Sequence, residues 1–311
     1  MIKSICDGLT EVARHGLEVL RAQTEVGRAV IRGKADTEIF DLNAQNAIFN
    51  RVQKVAHELA ERRGISLELG VLGEEDFIQT KIGDRPHTRL DITVDPCDGS
   101  GNYKGYLQAP DKYRALLPAP DTGISIAAQL DPESNPRYVA GVATDVQTGT
   151  IYSACKMGDR YICRINDREV ERRAFPLTDV ERPKINLPFY SHKDVDLMKG
   201  LMVELQKTTG AKIYPGRCRA SIVDLIRMLA GDCDAMADLR ALRPDQGASL
   251  KPWDVCGMVP FLEGLGWYVC NEKGNPVAWK EYNAPVCFIA SRSEQLRDRI
   301  LEAVRNKVSV M

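Results

Sequence analysis

The chain has 311 residues, 44% hydrophobic and 27% charged, with 42 basic and 43 acidic side chains for a net charge of −1. That length allows two packed lobes or one thick-cored domain, and the balance excludes an electrostatic footprint for nucleic acid or an anionic membrane. No apolar stretch is long enough to cross a bilayer, and "MIKSICDGLTEVARHG" is too interrupted by charge for a secretory leader. The nine cysteines are scattered and never spaced as CxxC, which argues against a disulfide frame or a zinc site and for reduced thiols in a cytoplasm.

Ile5, Leu9, Val12 and Leu20 recur at helical spacing and predict an amphipathic helix over about 3–30. A second helix is expected from Asp41 to Arg63, burying Ile48, Val52, Val55 and Leu59. The period then shortens. "RLDITVDP" alternates Leu90, Ile92 and Val94 as a strand running into Asp95-Pro96. "TGISIAAQL" reads as another strand, and "RYVAGVATDVQTGTIYSACK" as a hairpin across Thr148-Gly149. Residues 103–120 read as a long loop.

Prolines and charges in "FPLTDVERPKINLP" predict a lobe boundary, dividing the chain into 1–182 and 183–311. Beyond it helices and strands alternate. Helices are expected at about 194–208, at "SIVDLIRMLAG", near Trp253 and at the C-terminal end, with strands at "AKIYP", "CDAMADLR", "GWYVC" and "VCFIAS". The first lobe is expected to combine helices with a largely antiparallel sheet, the second to be an α/β layer.

Four acidic features stand out: "GEED" at 73–76, "DPCDGS" at 95–100, "WD" at 253–254, and Asp41 heading the second helix. Taken singly, each has a structural explanation as a solvated turn, a turn former or a helix cap. Together they suit a hard divalent cation, which takes oxygen ligands and keeps several waters. Asp95 ends a strand, and a turn stiffened by Pro96 can fold Asp98 back toward it. Gly99 and Ser100 then open the next element with backbone N–H groups, a phosphate cradle if that element is helical. Metal ligands beside an anion site point to phosphoryl chemistry.

"GEE", then "DPCDGS", then "WD" far downstream resembles the inositol monophosphatase / fructose-1,6-bisphosphatase superfamily. "ADTEIFD" and "CDAMADLR" look most like its archaeal-type members. The resemblance covers nearly the whole chain and implies a layered αβαβα sandwich of the sugar phosphatase type, probed here as an α+β or α/β fold. It implies two or three Mg²⁺ ions, with Mn²⁺ an alternative. Glu74, Asp95 and the Cys97 carbonyl would hold the first, Asp95, Asp98 and Asp254 the second, and Glu74 a third, looser ion. Asp41 and Ser100, with Glu74, would activate water. Asp98, Gly99, Ser100, Ser221 and Asp238 would contact substrate, Asp238 through sugar hydroxyls. A homodimer is implied by family alone. The chain departs from compact members in its longer stretch between Asp98 and Asp254 and in "GNY" after the Gly-Ser turn.

The expected activity is Mg²⁺-dependent hydrolysis of a sugar or cyclitol phosphate, such as an inositol monophosphate or fructose 1,6-bisphosphate. A 3′-phosphoadenosine 5′-phosphate phosphatase is an alternative; so is a non-catalytic sugar-phosphate-binding or scaffold protein. A bisphosphate needs a second anion pocket, for which Arg217, Arg219, Arg240 and Arg243 are available. Against other chemistries, GxGxxG, GxxxxGK(S/T) and GxSxG are absent, and His15, His57, His87 and His192 stand isolated. The partner expected is a small phosphorylated molecule, with no nucleic acid and no membrane.

Overall fold

The computed structural model describes residues 1–23, 28–31, 34–74, 76–84, 88–109, 120–134, 137–171, 181–189, 195–217, 220–242, 249–277 and 284–308. Two compact units form. The first comprises 1–170 with 219–223 and 253–261, and the second comprises 171–218, 224–252 and 262–311. The chain thus changes unit near the proline- and charge-rich segment, but the division is not a single cut at 182. Two short downstream segments cluster with the N-terminal unit, and one of them carries Asp254.

In chain order the elements are α1 (Ile2–Ala22), β1 (Arg28–Ile31), β2 (Lys34–Glu38), α2 (Ile39–Arg63), β3 (Leu67–Gly73), β4 (Phe77–Ile82), β5 (Thr88–Asp98), α3 (Ser100–Gln108), β6 (Gly123–Leu130), β7 (Tyr138–Asp145), β8 (Thr150–Met157), β9 (Arg160–Ile165) and β10 (Arg168–Val170). There follow β11 (Lys184–Phe189), α4 (Val195–Thr209), β12 (Lys212–Arg217), α5 (Ser221–Leu229), β13 (Ala235–Asp238), α6 (Pro252–Val255), α7 (Val259–Gly264), β14 (Tyr268–Cys270), β15 (Phe288–Ser291) and α8 (Glu294–Val308).

The first unit holds an eight-stranded sheet ordered β10-β9-β8-β7-β6-β5-β3-β4. Only β3 and β5 pair parallel; the remaining neighbours are antiparallel. Helices α1 and α2 pack on each other and on this sheet, α1 along β6–β8 and α2 along β3 and β5. Their apolar faces close one core: Leu9, Val12 and Leu20 of α1 and Ile48 and Val52 of α2 meet Val71, Ile92, Val94 and Ile126. The second unit is a mixed five-stranded sheet, β12-β11-β13-β15-β14, packed by α4 and α8 around Leu201, Leu205, Ile289 and Ile300. The fold is therefore the expected layered α+β class, built on two mixed sheets.

Several expectations are refined. Helix α1 stops at Ala22, and a β-branched stretch forms β1 where continuation to residue 30 was expected. Strands β3 and β4 flank "GEED", which the motif reading treated only as a turn. The presumed loop at 103–120 begins as α3; positions 110–119 lie outside the described residues. Gly101 and Gly105 hide that helix from propensity, and tertiary contacts supply what propensity lacks. Tyr103 is buried with its ring 5.1 Å from Phe40, and its hydroxyl donates to the Leu20 carbonyl. The aromatic after the Gly-Ser turn is thus a core residue. The eight described cysteines are free thiols, and among the described residues no helix is long and apolar enough to cross a membrane.

The segment carrying Asp254 lies flat on β6 and β7. A Cβ on Gly257 would fall 2.3 Å from the Val142 carbonyl oxygen and 2.8 Å from the Ile126 nitrogen, both backbone atoms that cannot move aside. Gly105, by contrast, faces open space inside α3. Gly257→Ala is expected to destabilise by about 3 kcal/mol, while Gly105→Ala gains about 0.5–1 kcal/mol of helix propensity. Urea unfolding of both variants beside the wild type checks the contrast.

Candidate active site

The site grows from the end of β5. Against β6 the register runs Asp95 opposite Ser125 and then Asp98 opposite Gly123, so β5 carries one extra residue there. This is a β-bulge, not the turn expected after Asp95. Pro96 has no N–H for a ladder, and a bulge is where a central strand tolerates it. Residues three apart on a regular strand point to opposite faces; one inserted residue restores Asp95 and Asp98 to a common side. The Asp95 Oδ1 accepts the Cys97 N–H at 2.9 Å, which holds the bulge closed.

Asp98 does a second job. Its Oδ2 accepts the backbone N–H of Ile222 at 2.6 Å, so a carboxylate from β5 caps the start of α5. That bond brings Ser221, the first residue of α5, beside Asp98. The positive end of the helix dipole offsets part of the carboxylate charge. Gly99 follows at φ 89°, a left-handed conformation that favours glycine, and caps α3 so that Ser100 is its first residue. Backbone N–H groups of Asn102 and Tyr103 already bond the Gly99 carbonyl.

The other acids arrive from separate elements. In the parallel β3–β5 ladder Gly73 pairs with Val94, so Glu74 leaves β3 level with Asp95. Glu74 is exposed, and Asp254 in α6 is half-buried, whereas Asp41 (4% exposed), Asp95 (2%) and Asp98 (8%) are buried. Asp41 sits in the first turn of α2. Burial raises the Asp95 carboxyl well above the usual range, and the charges of Asp98, Asp254, Glu74 and Asp41 raise it further. The Cys97 thiol is pushed up by burial and by the same acids, so it stays protonated and inert.

The structure thus gathers Asp41, Glu74, Asp95, Cys97, Asp98, Gly99, Ser100, Ser221 and Asp254 in the first unit. Among the described residues no group of three or more His, Cys, Asp or Glu side chains is placed to hold a metal ion as it stands. The donor set nevertheless fits a hard cation in chemistry: hard oxygen ligands, several of them buried, each electrostatically unfavourable to the others.

Asp238 behaves differently. It ends β13 in the second unit, fully buried, and Arg240 grips it through Nε at 2.9 Å to Oδ1 and through a terminal nitrogen at 2.6 Å to Oδ2. Both oxygens are engaged by one guanidinium, a geometry the motif reading did not anticipate. Of the arginines offered for a second anion pocket, Arg240 is therefore committed to Asp238. Arg219, Arg243 and the Arg217 side chain lie outside the described residues.

Sequence reasoning also passed over residues that shape the site. Gln45, one helical turn beyond Asp41, is buried against the end of β3, where a Cβ on Gly73 would lie 2.4 Å from its Oε1. The glycine of "GEE" is the legible sign of that close approach. Lys104 of α3 pairs with Glu38 at 2.6 Å and ties α3 to the start of α2. Ser125 of β6 is the register partner of Asp95.

The raised Asp95 pKa carries a sign. The native carboxyl holds its proton above the pH at which the unfolded one, near 3.9, gives it up. Its contribution to the stability of metal-free protein is therefore present at low pH and lost as pH climbs through the raised native value. In chelator, Asp95→Asn is expected to melt above wild type by a margin that widens from pH 4 to pH 8. A margin independent of pH, followed by thermal melts, would mean that Asp95 does not titrate in that window.

The inositol monophosphatase family model matches residues 3–309. No curated protein sequence matches the chain significantly. Among solved structures, the extragenic suppressor protein SuhB of Bartonella henselae superposes with a TM-score of 0.65 at 16% identity, covering 97% of this chain and 98% of its own. A Pyrococcus horikoshii protein described as similar to inositol-1 monophosphatase has a TM-score of 0.63 at 18% identity, covering 97% and 99%. A protein described as an inositol monophosphatase–fructose 1,6-bisphosphatase has a TM-score of 0.58 at 18% identity, covering 97% of both chains. At these identities the structures testify to the fold, and the family match to the lineage. With the family spanning almost every residue, the chain belongs to the inositol monophosphatase family, whose members are phosphatases.

Proposed function

We propose that the chain hydrolyses a phosphate monoester on a sugar or cyclitol with the help of Mg²⁺. The observation that carries this reading is Asp95: a buried strand carboxylate whose strongest electrostatic neighbours are four more acids. Such a cluster is costly unless a cation joins it. Glu74, Asp95, Asp98 and Asp254, with the carbonyl of Cys97, are the proposed ligands. When bound, Mg²⁺ or Mn²⁺ supplies Lewis-acid charge that lowers the pKa of water and stabilises oxygen anions.

The chain's own groups do the rest. The Ser100 hydroxyl orients the attacking water and passes its proton on to Asp41, with Glu74 assigned to the same step. The start of α3 at Gly99 and Ser100 offers backbone N–H groups and the positive end of a helix to the phosphoryl oxygens. Asp98 and Ser221, joined through the cap of α5, border the leaving side of the ester. Asp238 is the proposed contact to sugar hydroxyls, and its Arg240 partner then sets the orientation in which the carboxylate is presented. Partners of the reaction are a small phosphorylated molecule and water; a cytoplasmic homodimer is the proposed setting. A 3′-phosphoadenosine 5′-phosphate phosphatase remains the second reading, carried by the same metal-binding acids.

Activity is expected to vanish with chelator, to return with Mg²⁺ or Mn²⁺, and to survive Cys97→Ala. Asp98→Asn keeps an oxygen to cap Ile222 but removes a full charge from the metal side. It is expected to lose ~10²–10³ in kcat, or about 3–4 kcal/mol of barrier. Its metal-free form should melt no lower than metal-free wild type, because a like charge has gone. An active Asp98→Asn enzyme at saturating Mg²⁺ would exclude the ligand role.

Asp238 needs a gentler substitution than alanine. Removing it whole takes from the buried Arg240 the carboxylate that its Nε and a terminal nitrogen both donate to, at a cost of about 3–5 kcal/mol. Asp238→Asn is expected to impair the true sugar or cyclitol phosphate at least tenfold more than a plain aryl phosphate. Equal losses in kcat/KM on both substrates would reassign the Asp238–Arg240 pair to stability alone.

A further inference from the structure

We infer that Ser125 is a positioning residue that fixes Asp254 relative to Asp95, and so tunes cation affinity without touching the ion; this rests on the metal reading above. Ser125 is fully buried in β6 and is the register partner of Asp95 in the β5–β6 ladder. Its Oγ accepts the backbone N–H of Gly257 at 3.0 Å and lies 3.5 Å from the Cys256 Sγ. Those two residues follow Asp254 by three and two positions. One hydroxyl therefore links the strand position facing Asp95 to the turn that carries Asp254.

Apart from the half-buried Asp254, the side chains of that segment are buried, and its main chain lies close to the sheet. Cys256 Sγ lies 3.6 Å from the Trp253 carbonyl oxygen and 3.9 Å from that of Thr93, two residues before Asp95. Gly257 lies flat on the backbone of β6 and β7, and a Cβ on Gly141 would in turn sit 2.5 Å from the Gly257 carbonyl oxygen. The ring of Pro260 also packs on Gly141, and the Cys256 thiol reaches the Thr93 carbonyl. The Ser125 hydroxyl, donor and acceptor at once, adds the bond that ties the Gly257 main chain to β6 at the level of Asp95. Serine meets the need where alanine leaves a buried N–H without its acceptor. Ligand-orienting groups of this kind typically change metal affinity 10–100-fold when removed.

The experiment is calorimetric titration of the intact metal-free protein with Mn²⁺ alone, beside thermal melts of the same samples. Ser125→Ala is expected to bind Mn²⁺ at least tenfold more weakly than wild type. Cys256→Ser, which keeps a hydrogen-bonding group facing Ser125, should stay within about threefold. Thr144→Val serves as the control. It removes another fully buried hydroxyl of the same sheet, the acceptor of the Ile124 N–H at 3.2 Å, and should lower the melting temperature while leaving Mn²⁺ affinity at the wild-type value. Ser125→Ala that melts lower yet binds Mn²⁺ like wild type would overturn the inference. Should Ser125→Ala not fold, Cys256→Ala loosens the same link from the other side. A several-fold weaker Mn²⁺ titration then supports the inference, and an unchanged one overturns it. Absence of Mn²⁺ binding in wild type itself would remove the metal reading, and the inference with it, an outcome distinct because it appears before any substitution.

Discussion

Asp95 is a carboxylate placed where carboxylates are expensive, at the buried end of a central strand with four more acids for neighbours. Much of the first unit can be understood as the means of tolerating it. The β-bulge turns Asp98 to the same side, and the Cys97 N–H donates to Asp95. A helix start takes one oxygen of Asp98. The parallel neighbour β3 ends level with Asp95 and releases Glu74 toward solvent, where its own charge is least costly. These arrangements moderate the crowding of the acids, and the charge that remains is what the proposed cation would offset.

Glycine recurs wherever the site demands closeness. Gly73 admits Gln45 of α2 to the end of β3, Gly99 makes the left-handed step between β5 and α3, and Gly257 lets the Asp254 segment lie on the backbone of β6 and β7. Gly73 and Gly257 each remove a Cβ where a main chain meets a buried amide or another main chain, while Gly99 supplies a left-handed φ. The precision of a site assembled from five distant stretches depends on such contacts, since a side chain in any of them would shift a ligand by more than the site tolerates.

The second unit holds its proposed substrate contact on a different principle. Asp238 and Arg240 form a buried, two-pronged pair two residues apart, so the carboxylate is held in one orientation. Rigid polar groups discriminate well among hydroxylated ligands, because a mismatched ligand leaves them unsatisfied. The pair also removes Arg240 from the arginines available to a second phosphate, which bears on the choice between mono- and bisphosphate substrates.

Sequence alone determined the chemistry's ingredients: "DPCDGS", "GEE" and "WD", the balanced charge, the reduced cysteines, and the amphipathic periods of α1, α2 and the alternating C-terminal elements. Those are local signals, written in residue type and spacing. It could not show that Asp95 and Asp98 share a side, because a bulge is a property of the pairing between β5 and β6 and not of β5 itself. Nor could it show that Asp254 returns to the N-terminal unit, that Asp98 caps a helix 124 residues away, or that Ser125 faces Asp95. Helix α3 was hidden for a related reason, since two glycines weaken its propensity and burial of Tyr103 against Phe40 restores it. Residue type names the groups that can do chemistry; only long-range pairing and close backbone contact decide which of them meet.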